Sequence, residues 1–226
     1  VHIGVIEKGG GNVQWNGINV GVGKLSENWN REQGEKISLY TYTNGDEVEL
    51  FLNGKSLGVK KNSEDPKQRA RIKWDGIEYA PGTLVAVAKK NGTVVARHQI
   101  ETTGEAVALK LVPDAETWHA DGQDLMHVRV YAVDKKGRRV VNPKDQNAFA
   151  KLQFSVKGGA DIVAVDNGDM ASGELATSGK QLSKTAERSL FMGSALVILR
   201  SQTDASKVEL TVTNGKAKKT VKLETK

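Results

Sequence analysis

The sequence predicts an all-β protein made of two tandem sandwich domains, and three observations predict it. Apolar residues recur with the period of two that a half-buried strand needs, and nowhere with the spacing of a helical stripe. Asn-Gly and Lys-Gly dipeptides punctuate these runs, in a chain of 226 residues with 24 Gly. The strand pattern breaks at Thr102-Thr103-Gly104-Glu105 and then restarts, so two bodies are expected, not one. The expected division is 1–30 as an irregular glycine-rich lead, 31–104 as the first sandwich and 105–226 as the second.

Taken in order, residues 1–30 hold Gly9, Gly10, Gly11, Gly17, Gly21 and Gly23, too many for a helix or a packed strand. Strand signals begin at 37–43 and a turn follows at Asn44-Gly45. The clearest hairpin is DEVELFLNGKSLG, residues 46–58. There Val48, Leu50 and Leu52 alternate with Glu49 and Phe51, and Asn53-Gly54 supplies a type I′ turn into the return strand. Residues 62–68 form a polar loop around Pro66, and 71–74 a short strand. Ala80-Pro81-Gly82 is a turn before a strand at 83–88, and Asn91-Gly92 turns the chain into 93–100. About seven strands in roughly 100 residues suit an immunoglobulin-like sandwich. The second body repeats the pattern at 106–112, 128–133, 152–156, 162–165, 195–200, 208–212 and 220–223. The Ser-, Gly- and Lys-rich stretch 171–189 reads as a long loop.

Composition excludes several functions. Cysteine is absent, so disulfides, thiol chemistry and zinc–thiolate sites are ruled out. No apolar run is long enough to span a membrane. The net charge of +6 is spread along the chain. Its densest basic run, Lys216, Lys218, Lys219 and Lys222, suits the guarding of a sheet edge. Without an aromatic stacking platform beside it, nucleic acid is not an expected partner. The first residue is Val and no signal peptide is seen, so the chain reads as cut from a longer polypeptide. With aromatic residues at 5%, the cores must be built from Val, Leu, Ile and Ala.

Motifs that could carry chemistry are weak. Gly54-Lys55-Ser56-Leu57-Gly58 satisfies G-x-S-x-G, but a strand follows where a nucleophile elbow needs a helix. Gly21-Val22-Gly23-Lys24 lacks the Ser or Thr of a phosphate loop, with Leu25 in its place. His2, His98, His119 and His127 have no zinc-like spacing. Asp166-Asn167-Gly168-Asp169 is a turn whose carboxylates could hold Ca²⁺, though turn formation explains the composition equally well. Asn91-Gly92-Thr93 is a glycosylation sequon on paper, inside a tight turn. The expectation is no catalytic residue, no metal site and no cofactor.

Three segments of the first body resemble the β-sandwich that follows the catalytic barrel in bacterial β-galactosidases of glycoside hydrolase family 2. They are TYTNGDEVELFLNGKSLG (41–58), YAPGTLVAVA (79–88) and VVARHQIETTGEAVALKL (94–111). In the second body ADGQDLMHVRVYAVDKKG (120–137) and AVDNGDMASGE (164–174) resemble the C-terminal domain of the same enzymes, itself similar to invasin-type immunoglobulin-like domains. The chain departs from that wording at Arg31, where relatives carry Trp, and at Met170, where they carry Pro.

The resemblance implies a noncatalytic C-terminal region that supports a barrel and shapes the rim of its pocket. Both catalytic glutamates of the retaining mechanism would lie upstream of Val1. The implied partner is the catalytic barrel of the same polypeptide, with glycan a second candidate. The implied compartment is periplasmic or extracellular, in a bacterium. A carbohydrate-binding module and an adhesin-type stalk are the alternative readings. Among the four tryptophans, Trp74 is expected in the core and Trp118 over the domain junction. Trp15 and Trp29, in the glycine-rich lead, are the candidates for contact with the barrel or with glycan.

Overall fold

A computed structural model describes residues 1–8, 11–15, 18–22, 24–115, 117–141, 151–169, 172, 174, 182–204 and 206–226, with the backbone alone over 11–22. The chain divides into two compact units, Val1–Thr103 and Gly104–Lys226. Among the described residues there is no helix. Each unit is a sandwich of two four-stranded sheets, as the alternation in the sequence predicts.

The first unit runs β1 (His2–Ile6), β2 (Gly11–Trp15), β3 (Ile18–Val22), β4 (Leu25–Ser26), β5 (Lys36–Tyr42), β6 (Glu47–Leu52), β7 (Lys55–Lys61), β8 (Arg71–Glu78), β9 (Thr83–Lys90) and β10 (Thr93–Glu101). One sheet has the order β4-β1-β5-β8 and the other β10-β9-β6-β7, while β2 and β3 form a separate ribbon. Every neighbouring pair is antiparallel. Ile3, Val5, Leu39 and Trp74 of the first sheet pack against Val48, Leu50, Leu84 and Ala86 of the second. The period of two delivers this packing, since alternate residues of each strand face inward.

Turn chemistry sets the register. Asn53 and Gly54 take φ values of 51° and 81°, the positive pair that a type I′ turn requires. Leu52 therefore pairs with Lys55.

The lead over 1–30 differs from expectation. His2–Ile6 is not irregular: it lies inside a sheet between β4 and β5, with Ile3 and Val5 fully buried. Glycine content misled because the glycines cluster after this strand, around the β2–β3 ribbon. The short strand expected at 71–74 extends to Glu78 through a register shift opposite Ile37 and Leu39, where Gly76 sits at φ 69°.

The second unit runs β11 (Ala108–Pro113), β12 (Leu125–Val133), β13 (Lys151–Gly158), β14 (Ala160–Asp166), β15 (Thr185–Ser189), β16 (Ser194–Ser201), β17 (Lys207–Thr213) and β18 (Lys218–Glu224). Its sheets are β11-β12-β16-β14 and β15-β13-β17-β18. Val128, Val130, Val197 and Leu199 meet Leu152, Phe154, Val208 and Leu210 between them. Gly158 has φ 87°, and a Cβ there would lie 1.9 Å from the Lys207 carbonyl oxygen. Only glycine lets β13 and β17 approach so closely at their paired ends. The long loop expected over 171–189 ends early, because Thr185–Ser189 forms edge strand β15 against β13. Residues 175–181 of that stretch lie outside the described residues.

Leu50 is fully buried at the middle of β6, whereas Glu49 faces outward and bonds Ser56 and Lys89. A chain ending at Thr103 should unfold in one cooperative transition in urea. In it Leu50→Ala should cost about 2–5 kcal/mol, and Glu49→Gln far less, as for an ordinary surface change. Equal losses at the two positions would mean that β6 faces the other way.

Candidate functional site

The first unit gathers His2, Glu27 and His98, whose ligand atoms lie within 4.8 Å of one another. His2 opens β1, Glu27 follows β4, and His98 belongs to β10 of the facing sheet. Strand β4 pairs only with Val5 and Ile6. The Ile3 N–H beyond its end donates instead to Nδ1 of His98, at 3.0 Å. Glu27 is presented by a fixed turn: Asn28 N donates to Ser26 Oγ at 3.0 Å, and Ser26 Oγ donates to Glu7. Arg31 closes on the same Glu7 carboxylate at 2.8 Å.

Two imidazoles and a carboxylate suit a divalent transition ion by donor type. The hydrogen bonding argues otherwise. Because Nδ1 of His98 accepts a main-chain N–H, the neutral ring carries its proton on Nε2. That atom faces Glu27 Oε1 at 3.4 Å, and His2 Nδ1 lies 3.7 Å from the same oxygen. A metal on Nε2 would push the proton to Nδ1, against the Ile3 donor. The cluster is therefore a carboxylate with two histidines around it, their rings 4.7 Å apart. Burial and the neighbouring His98 hold the His2 pKa below its ordinary value, against the pull of Glu27.

No spacing in the sequence signals this cluster, because its members come from three separated segments. The tryptophans fall elsewhere. Trp15 ends β2 and pairs with Ile18 of β3; its side chain lies outside the description. Trp29, expected to meet barrel or glycan, is 1% exposed and packs edge-on against Tyr79 at 5.4 Å. It is a core residue with no ring face open to a sugar, because the lead that carries it is part of the sandwich. Trp74 is buried as expected and donates to Thr41 Oγ1. Trp118 lies in the core of the second unit and donates to the Asp124 carbonyl oxygen.

The turn at Asp166 also has its oxygens occupied. Arg188, 3% exposed, donates to Asp166 Oδ1 at 3.2 Å, Asn167 Oδ1 at 3.1 Å and the Glu174 carbonyl at 2.6 Å. The N–H groups of Asn167 and Gly168 hold the Asp166 pKa down, with Arg188 adding to the effect. A calcium ion using these two Oδ1 atoms would compete with a buried guanidinium.

Ser56 of the G-x-S-x-G stretch lies on exposed strand β7 and donates to Glu49. Among the described residues, every carboxyl group whose pKa moves goes downward: Glu35, Glu49, Asp75, Asp121, Asp134, Asp161, Asp166, Glu174 and Glu187. None of these is a proton donor poised near neutral pH, as glycoside cleavage requires.

Residues 109–222 match the family model described as glycoside hydrolase family 2 C-terminal domain 5. The chain belongs to glycoside hydrolase family 2. Residues 34–96 match a further model, described as a domain of unknown function. A β-galactosidase of Bacteroides ovatus, BoGH2A, is 36% identical over 191 residues, which is 84% of this chain and 21% of that protein. A β-glucuronidase of Formosa agariphila is 32% identical over 58% of this chain and 13% of its own length. A crystal structure of a family 2 member from Bacteroides cellulosilyticus superimposes with a TM-score of 0.79 at 27% identity. That match covers all of this chain and 28% of the other. The family 2 chain thus spans about a fifth of the first of these curated relatives and less of the second.

Two outcomes check the local chemistry. His98→Phe removes the acceptor of a buried N–H and should cost the first unit about 1–3 kcal/mol in urea unfolding. Because the folded His2 pKa is lowered, the unfolded chain takes up the proton more readily below its ordinary pKa. The His2 contribution should therefore be complete above pH 6.5 and decline as pH falls below it, and His2→Gln should remove that part of the slope. In the second unit, burial would raise the Asp134 pKa. The Arg138 guanidinium and the N–H groups of Gly104, Arg138 and Lys136 outweigh it and hold the carboxyl far below its usual range. Asp134→Asn should destabilise this unit by about 2–3 kcal/mol at pH 7. The difference from the original chain should shrink in strong acid, where the carboxylate is lost.

Proposed function

We propose that this chain is the noncatalytic C-terminal region of a family 2 glycosidase, buttressing the catalytic barrel and shaping the rim of its pocket. The observation that carries the reading is the match of 109–222 to a C-terminal domain of the family. The small share of each relative that the chain spans supports it. An apolar patch on the first unit supports this reading. The outward face of its second sheet sets Phe51 beside Val85 and Glu49 between Val87 and Val59. Leu57 and Val59 on edge strand β7 are 38% and 49% exposed, and grouped apolar exposure of this kind marks contact sites.

For the parent enzyme we favour a retaining β-galactosidase, in line with the B. ovatus relative; the F. agariphila relative makes β-glucuronide the competing substrate. The proposal includes a periplasmic or extracellular setting, which a chain without thiols tolerates.

The purified chain should show no turnover of nitrophenyl β-galactoside or β-glucuronide above buffer. The same chain extended upstream through the barrel should hydrolyse the galactoside. Turnover by the chain alone, abolished by changing one of its own carboxylates, would overturn the reading. An extended enzyme active only on the glucuronide would overturn the substrate.

A further inference from the structure

On the outer face of the β11-β12-β16-β14 sheet, a recess of about 240 Å³ is lined by Arg129, Tyr131, Arg139, Asn167, Ser194 and Leu196, with Ala195 in its floor. The sheet register places these groups. Arg129 lies directly opposite Leu196, and Tyr131 opposite Ser194, on paired strands β12 and β16. Arg139 reaches the recess by its guanidinium, whose carbon stands 5.3 Å from the centre of the Tyr131 ring. One of its nitrogens donates to the Met192 carbonyl at 3.1 Å and to Ser194 Oγ at 3.3 Å. A cation held over an aromatic face by neutral acceptors is fixed in place with its charge uncompensated.

The uncommitted polar groups of the recess are what identify its ligand. Arg139 Nε is buried without a partner. Neither Arg129 nor Arg139 pairs with any acid among the described residues, and the Tyr131 hydroxyl has no hydrogen bond there. The acceptors, by contrast, are spent. Asn167 Oδ1 receives Arg188 and the Asp169 N–H, while its Nδ2 donates to the Ser189 carbonyl. Ser194 Oγ accepts from Arg139 and donates to the Phe191 carbonyl. Among the described residues, the recess thus offers free donors, two positive charges and no acid. A half-buried cation such as Arg139 is normally paired, and exposed Arg129 sets a second charge beside it, so the complement of the recess is an anion rich in acceptor atoms.

We propose that this recess binds the carboxylate of an acidic sugar. The exposed Arg129 guanidinium offers the fork that matches a carboxylate through two parallel hydrogen bonds, Arg139 adds its charge beside it, and the Tyr131 hydroxyl is free to donate to a ring oxygen or hydroxyl. The space exceeds what a bare oxyanion fills, yet falls below the ~300 Å³ at which drug-sized pockets begin, so the ligand is a single sugar unit. Membership of a glycosidase family makes a uronic acid the fitting class. This goes beyond the barrel-supporting role and uses neither Trp15 nor Trp29. It is measured on the chain alone, so its failure leaves that role untouched.

The test is calorimetric titration of the whole chain, at low ionic strength, with glucuronate, galacturonate, glucose, galactose, acetate and sulfate. At least one uronate should bind saturably, neutral sugars should not, and acetate and sulfate should bind more weakly than the uronate. Added salt should weaken the uronate. Arg139→Gln should reduce uronate affinity by about tenfold or more, as loss of a nearby positive charge does. Arg129 is exposed, so Arg129→Gln keeps the fold and should also weaken binding, even if Arg139→Gln fails to fold. Absence of saturable uronate binding would overturn the proposal, as would equal binding of the neutral sugar or unchanged affinity in Arg129→Gln. Acetate or sulfate matching the uronate would overturn the sugar assignment.

Discussion

The whole chain depends on burying one face of each of four sheets. With no cysteine to cross-link it and aromatic residues at 5%, neither sandwich has any other large source of stability. Each core is therefore mainly aliphatic around a few aromatic rings such as Trp29, Trp74, Trp118 and Phe154, with Val48, Leu50, Leu84, Ala86 and Ala88 in one unit and Val128, Val130, Val197, Leu199 and Leu210 in the other. At about 25 cal/mol per Å² of apolar surface removed from water, such faces supply the main favourable term of folding. A register slip of one residue would turn every one of these side chains outward. Turn chemistry is consequently a condition of the core and not a detail of the surface. Asn53-Gly54 and Asn91-Gly92, both with positive φ at each residue, keep the hairpins β6–β7 and β9–β10 in register.

This explains which parts of the fold were legible in the sequence. Strands bounded by a tight turn announce themselves twice, by alternation and by the turn, and β6, β7, β9, β10, β17 and β18 all do so. Strand β1 has neither signal. His2-Ile3-Gly4-Val5-Ile6 is too short to show alternation clearly, and glycines crowd the residues after it. Its place inside a sheet comes from partners at 25–26 and 36–42, which no local pattern reveals. Strand β15, Thr185–Ser189, carries polar residues because it is a sheet edge, and its pairing with β13 is again nonlocal. Trp29 was misread for the same reason. A tryptophan in a segment taken for a linker looks exposed, and in a segment that packs it becomes the core.

Clusters of chemistry were less legible still. His2, Glu27 and His98 meet because a two-residue strand leaves the Ile3 N–H unpaired and a histidine from the facing sheet accepts it. The sequence contains each residue but not the gap in the ladder that brings them together. The recess at Arg129 and Tyr131 sits between these cases. Residues of β12 that alternate with buried valines must point outward, so the sequence places both on one face. It does not show that Arg139, after a turn closed on Asp134, folds back over the Tyr131 ring.

The distribution of charge separates the structural from the functional in this chain. Its aspartates are mostly spent on backbone. Asp121 and Asp124 each accept main-chain N–H groups around one turn, Asp134 closes another, and Asp166 a third while holding Arg188. Bonds of this kind help to hold the Asp121, Asp134 and Asp166 pKa values down, and an ionised carboxylate tied to its own loop neither donates a proton nor leaves to attack a substrate. The same accounting applied to the arginines gives a different result. Arg31, Arg138 and Arg188 each have a carboxylate within 3.2 Å. Arg129 and Arg139 share one recess with no acid among its described lining, and Arg139 Nε, like Arg188 Nε, is buried and unbonded. Where a fold satisfies most of its buried donors and leaves two cations facing one small hollow, the missing acceptor is most simply supplied from outside the chain.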